Sequence, residues 1–222
     1  FHNYAFLFVA YLFASKSGGY WHSENLVDWV FIETDDIPVE EYAPTAVAIK
    51  DTLYFLASST EKSTLYKSAN PLSGRWQVAR SELEFPVWDP AFFLDDDKRL
   101  YLYWGCSNTN PIYGIQVEYE NNFSLIGDPV ELVHANPQQH GWEVPGDNNN
   151  KRGQAPWIEG AWMNKHNGTY YLQYSGPGTE YKSYCDAVYI SQHPLGPFQV
   201  QPHNPFAYKP EGFAAGAGHG ST

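Results

Sequence analysis

A glutamate between two tryptophans is the residue of this chain whose surroundings most favour acid chemistry. Glu159 lies between Trp157 and Trp162, directly ahead of the aromatic segment 168–175. Aromatic walls exclude water from a carboxyl group, which disfavours its charged form and raises its pKa. Such a group can hold a proton near neutral pH and deliver it to a leaving group. A solvent-facing Glu at a strand edge is the commoner alternative for an isolated residue.

A second carboxylate, Asp89, occupies the same place relative to its own segment. Asp89 and Glu159 each precede a short apolar strand that leads into an aromatic one. Two carboxylates that converge on one pocket are the minimum requirement for hydrolysis of a glycosidic bond. An Asx turn ahead of Pro90 is the structural alternative for Asp89 alone. The matching positions of the two residues favour a shared site.

A repeated unit of short strands has to position these carboxylates. Its aromatic strands are predicted at four places, 11–15, 53–58, 100–105 and 170–175. Their spacing is about 43, about 47 and then about 70 residues, and the first two values lie in the range of propeller blades. The excess in the third lies in the polar stretch 134–154. This stretch is predicted to be an inserted loop, and its part 138–154 could form a wall of the substrate site.

The repeat predicts an all-β fold of the β-propeller type. Helical periodicity is nearly absent, with at most one helical turn at 25–29. Four-stranded units at this period favour a propeller, whereas a β-sandwich does not need the same aromatic motif in every unit. Because the innermost strands of a propeller surround one axis, Asp89 and Glu159 are expected to meet.

Composition supports this class of fold and excludes some partners. The 222 residues include 18 Gly and 16 Pro, which favours many turns, and they predict a single domain over 1–222. The net charge of -12 argues against nucleic acid and against anionic membranes. Neutral carbohydrate is compatible with this charge.

Cysteine content and the opening segment limit the other possibilities. Two cysteines, Cys106 and Cys185, cannot build a disulfide scaffold, and the sequence leaves open whether they are free or bridged. The apolar opening 1–10 lacks a basic flank and a convincing cleavage site, so no signal peptide is predicted.

Three segments resemble glycoside hydrolase family 43, the five-bladed propeller glycosidases. They are the run 88–102, the run 158–162 with its tyrosine-rich strand, and the Gly-His-Gly-Ser end at 216–221. The resemblance extends from about Tyr11 to the last residue. It implies a five-bladed propeller that is incomplete as given, with a partial first blade and a truncated fifth blade.

The resemblance also implies roles for the carboxylates. Glu159 is similar to the general acid of an inverting hydrolysis, and Asp89 to the residue that orients this acid and raises its pKa. The general base of the family is an Asp on the first blade. The residues ahead of Tyr11 contain no Asp or Glu, so the base is not found in this chain.

Further site residues are expected from position and resemblance. His219 resembles an axial histidine that faces a calcium or other ion in the central channel of many family members. Asp95–Asp97 is predicted to be a solvated turn rather than a metal cluster. Contacts with the sugar are predicted for five residues: Trp88, Trp157, Trp162, Thr45 and His22.

The resemblance implies a glycosidase of xylan degradation, a β-xylosidase or α-L-arabinofuranosidase that acts on pentose-containing plant oligosaccharides or polysaccharides. A carbohydrate-binding propeller without catalysis is the alternative that the missing base supports. A retaining glycosidase, with an Asp nucleophile in the first blade, is a third hypothesis. The substrate class implies a periplasmic or secreted protein. Linkage, exo or endo action and oligomeric state are left open.

Overall fold

The computed structural model describes residues 9–221, in which the regular elements are strands and two short 3-10 turns. The segment ahead of Tyr11, for which neither a base nor a signal peptide was predicted, lies largely outside the described residues. Nowhere in 9–221 is there a helix long and apolar enough to cross a membrane. The prediction of an all-β chain is confirmed.

The chain divides into two compact units, and each contains two antiparallel sheets. Unit 1 is Phe1–Pro86 and unit 2 is Val87–Thr222. The four sheets match the predicted repeat of blade-like units. The count of five blades stays a prediction, as does the single domain.

Unit 1 is organised around stacked aromatic side chains. Its first sheet contains β1 (Ala10–Phe13), β2 (Gly19–Ser23) and β3 (Val30–Glu33). Its second sheet contains β4 (Thr45–Ile49), β5 (Thr52–Leu56), β6 (Leu65–Ser68) and β7 (Gln77–Arg80), with a 3-10 turn at Pro71–Ser73. The rings of Tyr20 and Trp76 meet edge-on with centroids 5.7 Å apart. The indole N–H of Trp76 donates to the Tyr20 hydroxyl at 3.1 Å, so the buried polar atoms are paired.

Unit 2 carries both candidate acids. Its first sheet runs β8 (Ala91–Leu94), β9 (Leu100–Trp104), β10 (Ile112–Glu118) and β11 (Ser124–Val133). Its second runs β12 (Glu159–His166), β13 (Thr169–Gly176) and β14 (Cys185–Ser191), and β14 also pairs with β15 (Gln199–Val200) and β16 (Ala207–Tyr208). A 3-10 turn at Gly141–Glu143 lies in the predicted loop.

The core of unit 2 joins its two sheets. Tyr103 and Ile112 from the first sheet belong to the same buried cluster as Met163, Leu172 and Tyr174 from the second. Burial of each such side chain contributes about 1.5–3 kcal/mol to the stability of the fold, so the core holds the two sheets of unit 2 together. The two candidate acids stand at strand ends of these sheets.

The segment 25–29, for which at most one helical turn was predicted, forms no helical turn. This segment is a series of bends between β2 and β3. The Ser23 hydroxyl accepts from the backbone N–H of Leu26 at 2.8 Å, and the Asn25 side chain accepts from Val27 and Asp28 at 2.9 and 2.8 Å. Short polar side chains that satisfy nearby N–H groups compete with helix formation.

Candidate active site

One row across the second sheet of unit 2 positions Glu159. Glu159 is the first residue of β12 and pairs with Ser175 on β13, which in turn pairs with Asp186 on β14. Directly paired residues point their side chains to the same face of a sheet. The Ser175 hydroxyl donates to Asp186, and Gln173 donates to the other oxygen of Asp186 at 3.2 Å. The row therefore places three polar side chains together on a buried face.

The structure brings Asp89 and Glu159 together. An oxygen of each carboxylate and the sulfur of Cys106 all lie within 4.8 Å of one another. Asp89 is 5% exposed and Glu159 is 6% exposed. Asp89 lies just before β8 with a left-handed φ of 51°, a region in which Asp is enriched among non-glycine residues. The two acids, 70 positions apart in sequence, thus form one buried cluster.

The two oxygens of Glu159 have different hydrogen-bond donors. The Tyr184 hydroxyl donates to Oε1, and the Cys106 thiol donates to Oε2 at 3.2 Å. Both donors are neutral groups, and a phenol is a much stronger donor than a thiol. The environment of Glu159 is therefore asymmetric.

Both donors keep their protons at neutral pH. Burial raises the pKa of the Cys106 thiol far above its usual value, and the nearby charges of Asp89 and Glu159 raise it further. Burial also raises the pKa of the Tyr184 phenol, with the charge of Glu159 as the next cause. Neither group is a nucleophile in this environment, because the reactive form of each is the anion. Their role is to donate hydrogen bonds.

Sequence reasoning missed Tyr184 and Cys106. Cys106 follows the aromatic strand β9 by two residues, and the small residues at the end of that strand were a usable signal. Tyr184 ends a turn in which its N–H donates to the carbonyl of Tyr181 at 3.0 Å. A tyrosine among many others in a loop gives no such signal.

His219 lies beside Asp89, where its glycine-rich segment packs tightly. His219 Nδ1 is 3.7 Å from Asp89 Oδ2, and its backbone N–H donates to Ser175 at 2.6 Å. A Cβ on Gly160, whose φ is 63°, would be 2.9 Å from the His219 ring, and a Cβ on Gly218 would be 2.3 Å from the Tyr184 ring. Glycine is required at both positions because no side chain fits.

The described side chains offer little for a calcium ion at His219. They supply one imidazole nitrogen and the Asp89 carboxylate beside it, whereas calcium takes about six to eight oxygen ligands. Glu159 is engaged by Tyr184 and Cys106 on its two oxygens. An ion there would therefore have to be held mainly through water.

The three predicted tryptophans differ in exposure. Trp157 is 40% exposed and lies next to Ile158, whose backbone pairs with Ser107 in an isolated bridge. Trp88 and Trp162 are half-buried. Trp157 therefore offers the largest free aromatic surface of the three, and contact of all three with a sugar stays a prediction.

The other two predicted sugar contacts lie in unit 1. His22 in β2 is 7% exposed, and its ring centroid is 5.2 Å from that of Tyr11. Thr45 begins β4 and is 4% exposed. Both side chains are buried, and contact with a sugar stays a prediction for each.

A cavity of about 260 Å³ lies a few residues ahead of β12 in the chain. Its lining includes the hydroxyl and amide side chains of 107–110. The rest of the lining is His134, Ala135 and Pro137 from the start of the predicted loop and Ala155 and Pro156 from just after its end, with no residue from 138–154. The role of the loop as a substrate wall stays a prediction.

The middle of that loop is fixed by a buried carboxylate that sequence reasoning missed. Glu143 is fully buried and accepts hydrogen bonds from Tyr174 and from the backbone of Asn136. His140 Nδ1 is 3.1 Å from Glu143, and the His140 ring stacks on Trp142 at 4.6 Å. Glu143 therefore anchors the loop to the core.

The prediction of a solvated turn at Asp95–Asp97 is wrong for Asp95. Asp95 is 4% exposed and accepts hydrogen bonds from Lys165 Nζ at 2.5 Å and from the Tyr170 hydroxyl at 2.6 Å. Asp96 and Asp97 are exposed, as predicted. Asp95 is buried because Lys165 of β12 and Tyr170 of β13 donate hydrogen bonds to it at the turn.

Both cysteines are free thiols, which settles the choice that the sequence left open. Cys106 is half-buried and Cys185 is buried. Burial, with the nearby charges of Asp186 and Glu143, raises the pKa of Cys185 to about 12.

Comparisons with known proteins agree with this geometry. The sequence profile of glycosyl hydrolases family 43 matches residues 9–222. A β-xylosidase of Xylanibacter ruminicola is 26% identical over 160 residues, which are 60% of this chain and 42% of that protein. The β-D-galactofuranosidase xynD of Aspergillus niger is 31% identical over 115 residues, which are 51% of this chain and 27% of that protein. The chain thus spans less than half the length of either curated relative.

A solved structure shows the fold. The crystal structure of a thermostable family-43 glycoside hydrolase superposes with a TM-score of 0.76 at 24% identity, over 96% of this chain and 75% of that one. This likeness identifies the four sheets as blades of a β-propeller.

Proposed function

The chain belongs to glycosyl hydrolase family 43, and from that premise we propose that it hydrolyses glycosidic bonds in pentose-containing plant oligosaccharides or polysaccharides. The observation that carries the proposal is the buried cluster of Asp89, Glu159 and Cys106. Two carboxylates held this close inside a glycosidase fold are suited to proton transfer to a leaving oxygen.

Glu159 is the proposed general acid. It accepts neutral hydrogen bonds on both oxygens and lies near a second carboxylate, so its proton is held where a leaving oxygen can receive it. A carboxylate oxygen of Asp89 lies within 4.8 Å, close enough for its charge to act on this acid. Asp89 is the proposed modulator of this acid.

The proposed reaction inverts the anomeric centre, and its base is a third carboxylate. Asp89 and Glu159 place oxygens within 4.8 Å of each other. An inverting acid and base stand about 6.5–9.5 Å apart, because a water molecule has to fit between the base and the sugar. This spacing supports Asp89 as modulator rather than as base. The identity of the base is open.

The names of the relatives support, but differ on, the proposed sugar. One of them is named a β-xylosidase and the other a β-D-galactofuranosidase, so a β-xylosidase or α-L-arabinofuranosidase activity is the proposal, with a hexofuranose as the alternative sugar. The half-exposed Trp157 is the proposed platform for a sugar ring, since aromatic faces suit its C–H groups.

The test is Glu159→Gln in the full-length protein. We expect turnover of xylobiose and arabino-oligosaccharides to fall roughly a thousandfold, since a positioned acid contributes about 10²–10⁴-fold. Aryl glycosides with good leaving groups, which need less protonation, should lose far less. Exposed Glu131 provides the control Glu131→Gln, and proton NMR of the first product reports inversion or retention. Full activity of Glu159→Gln on the oligosaccharides would end the proposal.

A carbohydrate-binding propeller without catalysis is the second candidate. It is favoured by one observation, that the described cluster contains two carboxylates, which are assigned to the acid and its modulator and leave the base unassigned. Calorimetric titration with xylo- and arabino-oligosaccharides, combined with an assay for new reducing ends, separates the two functions. Binding without reducing ends would favour the second candidate.

We also propose that a calcium ion binds near His219, held mainly through water. Calorimetric titration of the parent and of His219→Ala with calcium tests this proposal.

We further propose that the protein is secreted or periplasmic, because a polymeric substrate is met outside the cytoplasm. Cell fractionation tests this location.

A further inference from the structure

We propose that Tyr184 is a positioning residue that decides which oxygen of Glu159 carries the transferable proton. The inference rests on the proposed role of Glu159 as general acid. A protonated carboxyl group has one O–H oxygen and one carbonyl-type oxygen. Which oxygen takes which part depends on the donors around them.

The contacts of Glu159 distinguish the two oxygens. Oε1 accepts from the phenol of Tyr184, and Oε2 accepts from the weak thiol donor of Cys106 at 3.2 Å. The oxygen that accepts the stronger hydrogen bond is favoured as the carbonyl type. The proton is thereby placed on Oε2, the oxygen beside Cys106.

Tyr184 is itself held rigidly. It is 4% exposed, and its ring lies so close to Gly218 that a Cβ there would be 2.3 Å away. It immediately precedes Cys185, the first residue of β14, and the next residue, Asp186, accepts from Ser175. A donor fixed by packing against Gly218 and by its position next to β14 loses little conformational freedom when it forms its hydrogen bond. The sheet that positions Glu159 therefore also positions its donor.

The proton balance of the step is simple. The O–H bond at Oε2 breaks and its proton joins the leaving oxygen, while the glycosidic C–O bond breaks with its electron pair going to that oxygen. Water, deprotonated by the separate base, forms the new C–O bond. Glu159 is left as a carboxylate, and Tyr184 keeps its own proton and stabilises the new charge on Oε1.

The experiment compares Tyr184→Phe with a matched control in the full-length protein. We expect kcat on xylobiose to fall about 30-fold, the size expected for loss of a hydrogen bond to a developing charge. Aryl β-xylosides of increasing leaving-group acidity should show a progressively smaller loss, and KM should change little. A merely structural role would lower the rate equally on all of them.

Tyr103→Phe is the control because Tyr103 is also a fully buried tyrosine of unit 2. Its hydroxyl donates to the carbonyl of Pro194 at 2.8 Å, so the variant loses one buried hydrogen bond of another kind. We expect its dependence on the leaving group to match the parent. An equal loss for Tyr184→Phe on all leaving groups, or no loss on xylobiose, overturns the assignment of Tyr184.

Glu159→Gln, measured beside them, separates the two proposals. A damaged Glu159→Gln with an unaffected Tyr184→Phe refutes the role of Tyr184 alone. If the parent cleaves no substrate, the proposed function fails, and carbon-13 NMR of the Glu159 carboxyl then decides. Because the Tyr184 hydroxyl donates to Glu159 Oε1, Tyr184→Phe should shift the carbon-13 resonance of that carboxyl, whereas Tyr103→Phe should leave it in place. An unmoved resonance in Tyr184→Phe overturns the inference.

Discussion

Strands β8 and β12 bring two acidic residues together near one end, and an acidic residue and a lysine together near the other. At the first end, Asp89 precedes β8 and Glu159 begins β12. At the second end, Asp95 follows β8 and Lys165 lies near the end of β12. The same two strands thus support two buried carboxylate clusters with opposite consequences.

The Asp95 cluster is compensated. Burial alone would raise the pKa of Asp95, but hydrogen bonds from Lys165 and Tyr170 lower it below its usual value. The hydrogen bond to Asp95 likewise raises the pKa of Lys165. Both groups stay charged, so this cluster stabilises the fold and has no proton to give near neutral pH.

The Glu159 cluster brings like charges together. Its carboxylate receives hydrogen bonds from a phenol and a thiol, and a second carboxylate oxygen lies within 4.8 Å. The comparison teaches that two buried carboxylates at opposite ends of the same strands differ in their partners, a lysine and a phenol for Asp95 and a phenol, a thiol and a carboxylate for Glu159.

The largest expected effect is on stability at the compensated end. Asp95→Asn should lower the free energy of unfolding by about 3 kcal/mol, since it removes a buried carboxylate that accepts hydrogen bonds from Lys165 and Tyr170. Urea unfolding measures the loss. The control is Asp96→Asn, whose side chain is 87% exposed although it lies 3.1 Å from Lys165, and which should cost less than about 1 kcal/mol. Equal losses of unfolding free energy in the two variants would contradict the special role of the buried Asp95.

At the other end of the strands, Asp89→Asn should lower turnover without lowering stability. We expect turnover of oligosaccharides to fall about a hundredfold, near the lower limit for acid-base groups. The free energy of unfolding should change little or rise, because a like charge has been removed from the cluster. Steady-state kinetics on xylobiose and urea unfolding of the same preparation measure both. A large loss of stability with unchanged turnover would mean that Asp89 is a structural residue.

Acidification should distinguish the two ends through stability. Because the folded pKa of Asp95 lies below its ordinary value of 3.8, its contribution is fully present above that pH and is lost as the pH falls through the folded pKa. The difference in unfolding free energy between parent and Asp95→Asn should therefore narrow as the pH falls from 6 to 2.5. Urea titrations at several pH values measure it. A constant difference would contradict the ion pair.

The smallest expected effect is at Cys106. Cys106→Ala removes the weak donor to Oε2 and should lower turnover only about threefold, because a thiol makes a weak hydrogen bond. The parent thiol should react slowly with iodoacetamide at pH 8, since its raised pKa keeps it protonated. Rapid alkylation, measured by mass spectrometry, would show that the thiol is ionised and that its surroundings differ from those described.

Local patterns were sufficient to predict most strands. The aromatic strands expected at 53–58, 100–105 and 170–175 correspond to β5, β9 and β13, and Glu159 stands at the start of its strand as expected. Alternation along a strand and turn residues between strands are short-range signals. The segment 25–29 forms no helical turn, because hydrogen bonds from its backbone N–H groups to nearby side chains compete with helix formation in so short a segment.

Partners in the site were harder to predict than the elements that carry them. Lys165 is 70 residues from Asp95, Cys106 is 53 residues from Glu159, and Tyr184 is 25 residues from Glu159. Nothing in the run Asp95–Asp97 indicates that the first aspartate is buried and the other two are exposed. The repeat predicted that Asp89 and Glu159 converge, since equivalent positions in successive blades face one axis.

The sequence by itself determined the strand order, the repeat and the two carboxylates that begin corresponding strands, because these depend on residue type and on spacing along the chain. Only the tertiary structure decided which buried carboxylate meets a lysine and which meets a phenol, a thiol and another carboxylate. The physical reason is that charge interactions depend on distance in space and on burial. Folding sets both by packing residues that are far apart in the sequence.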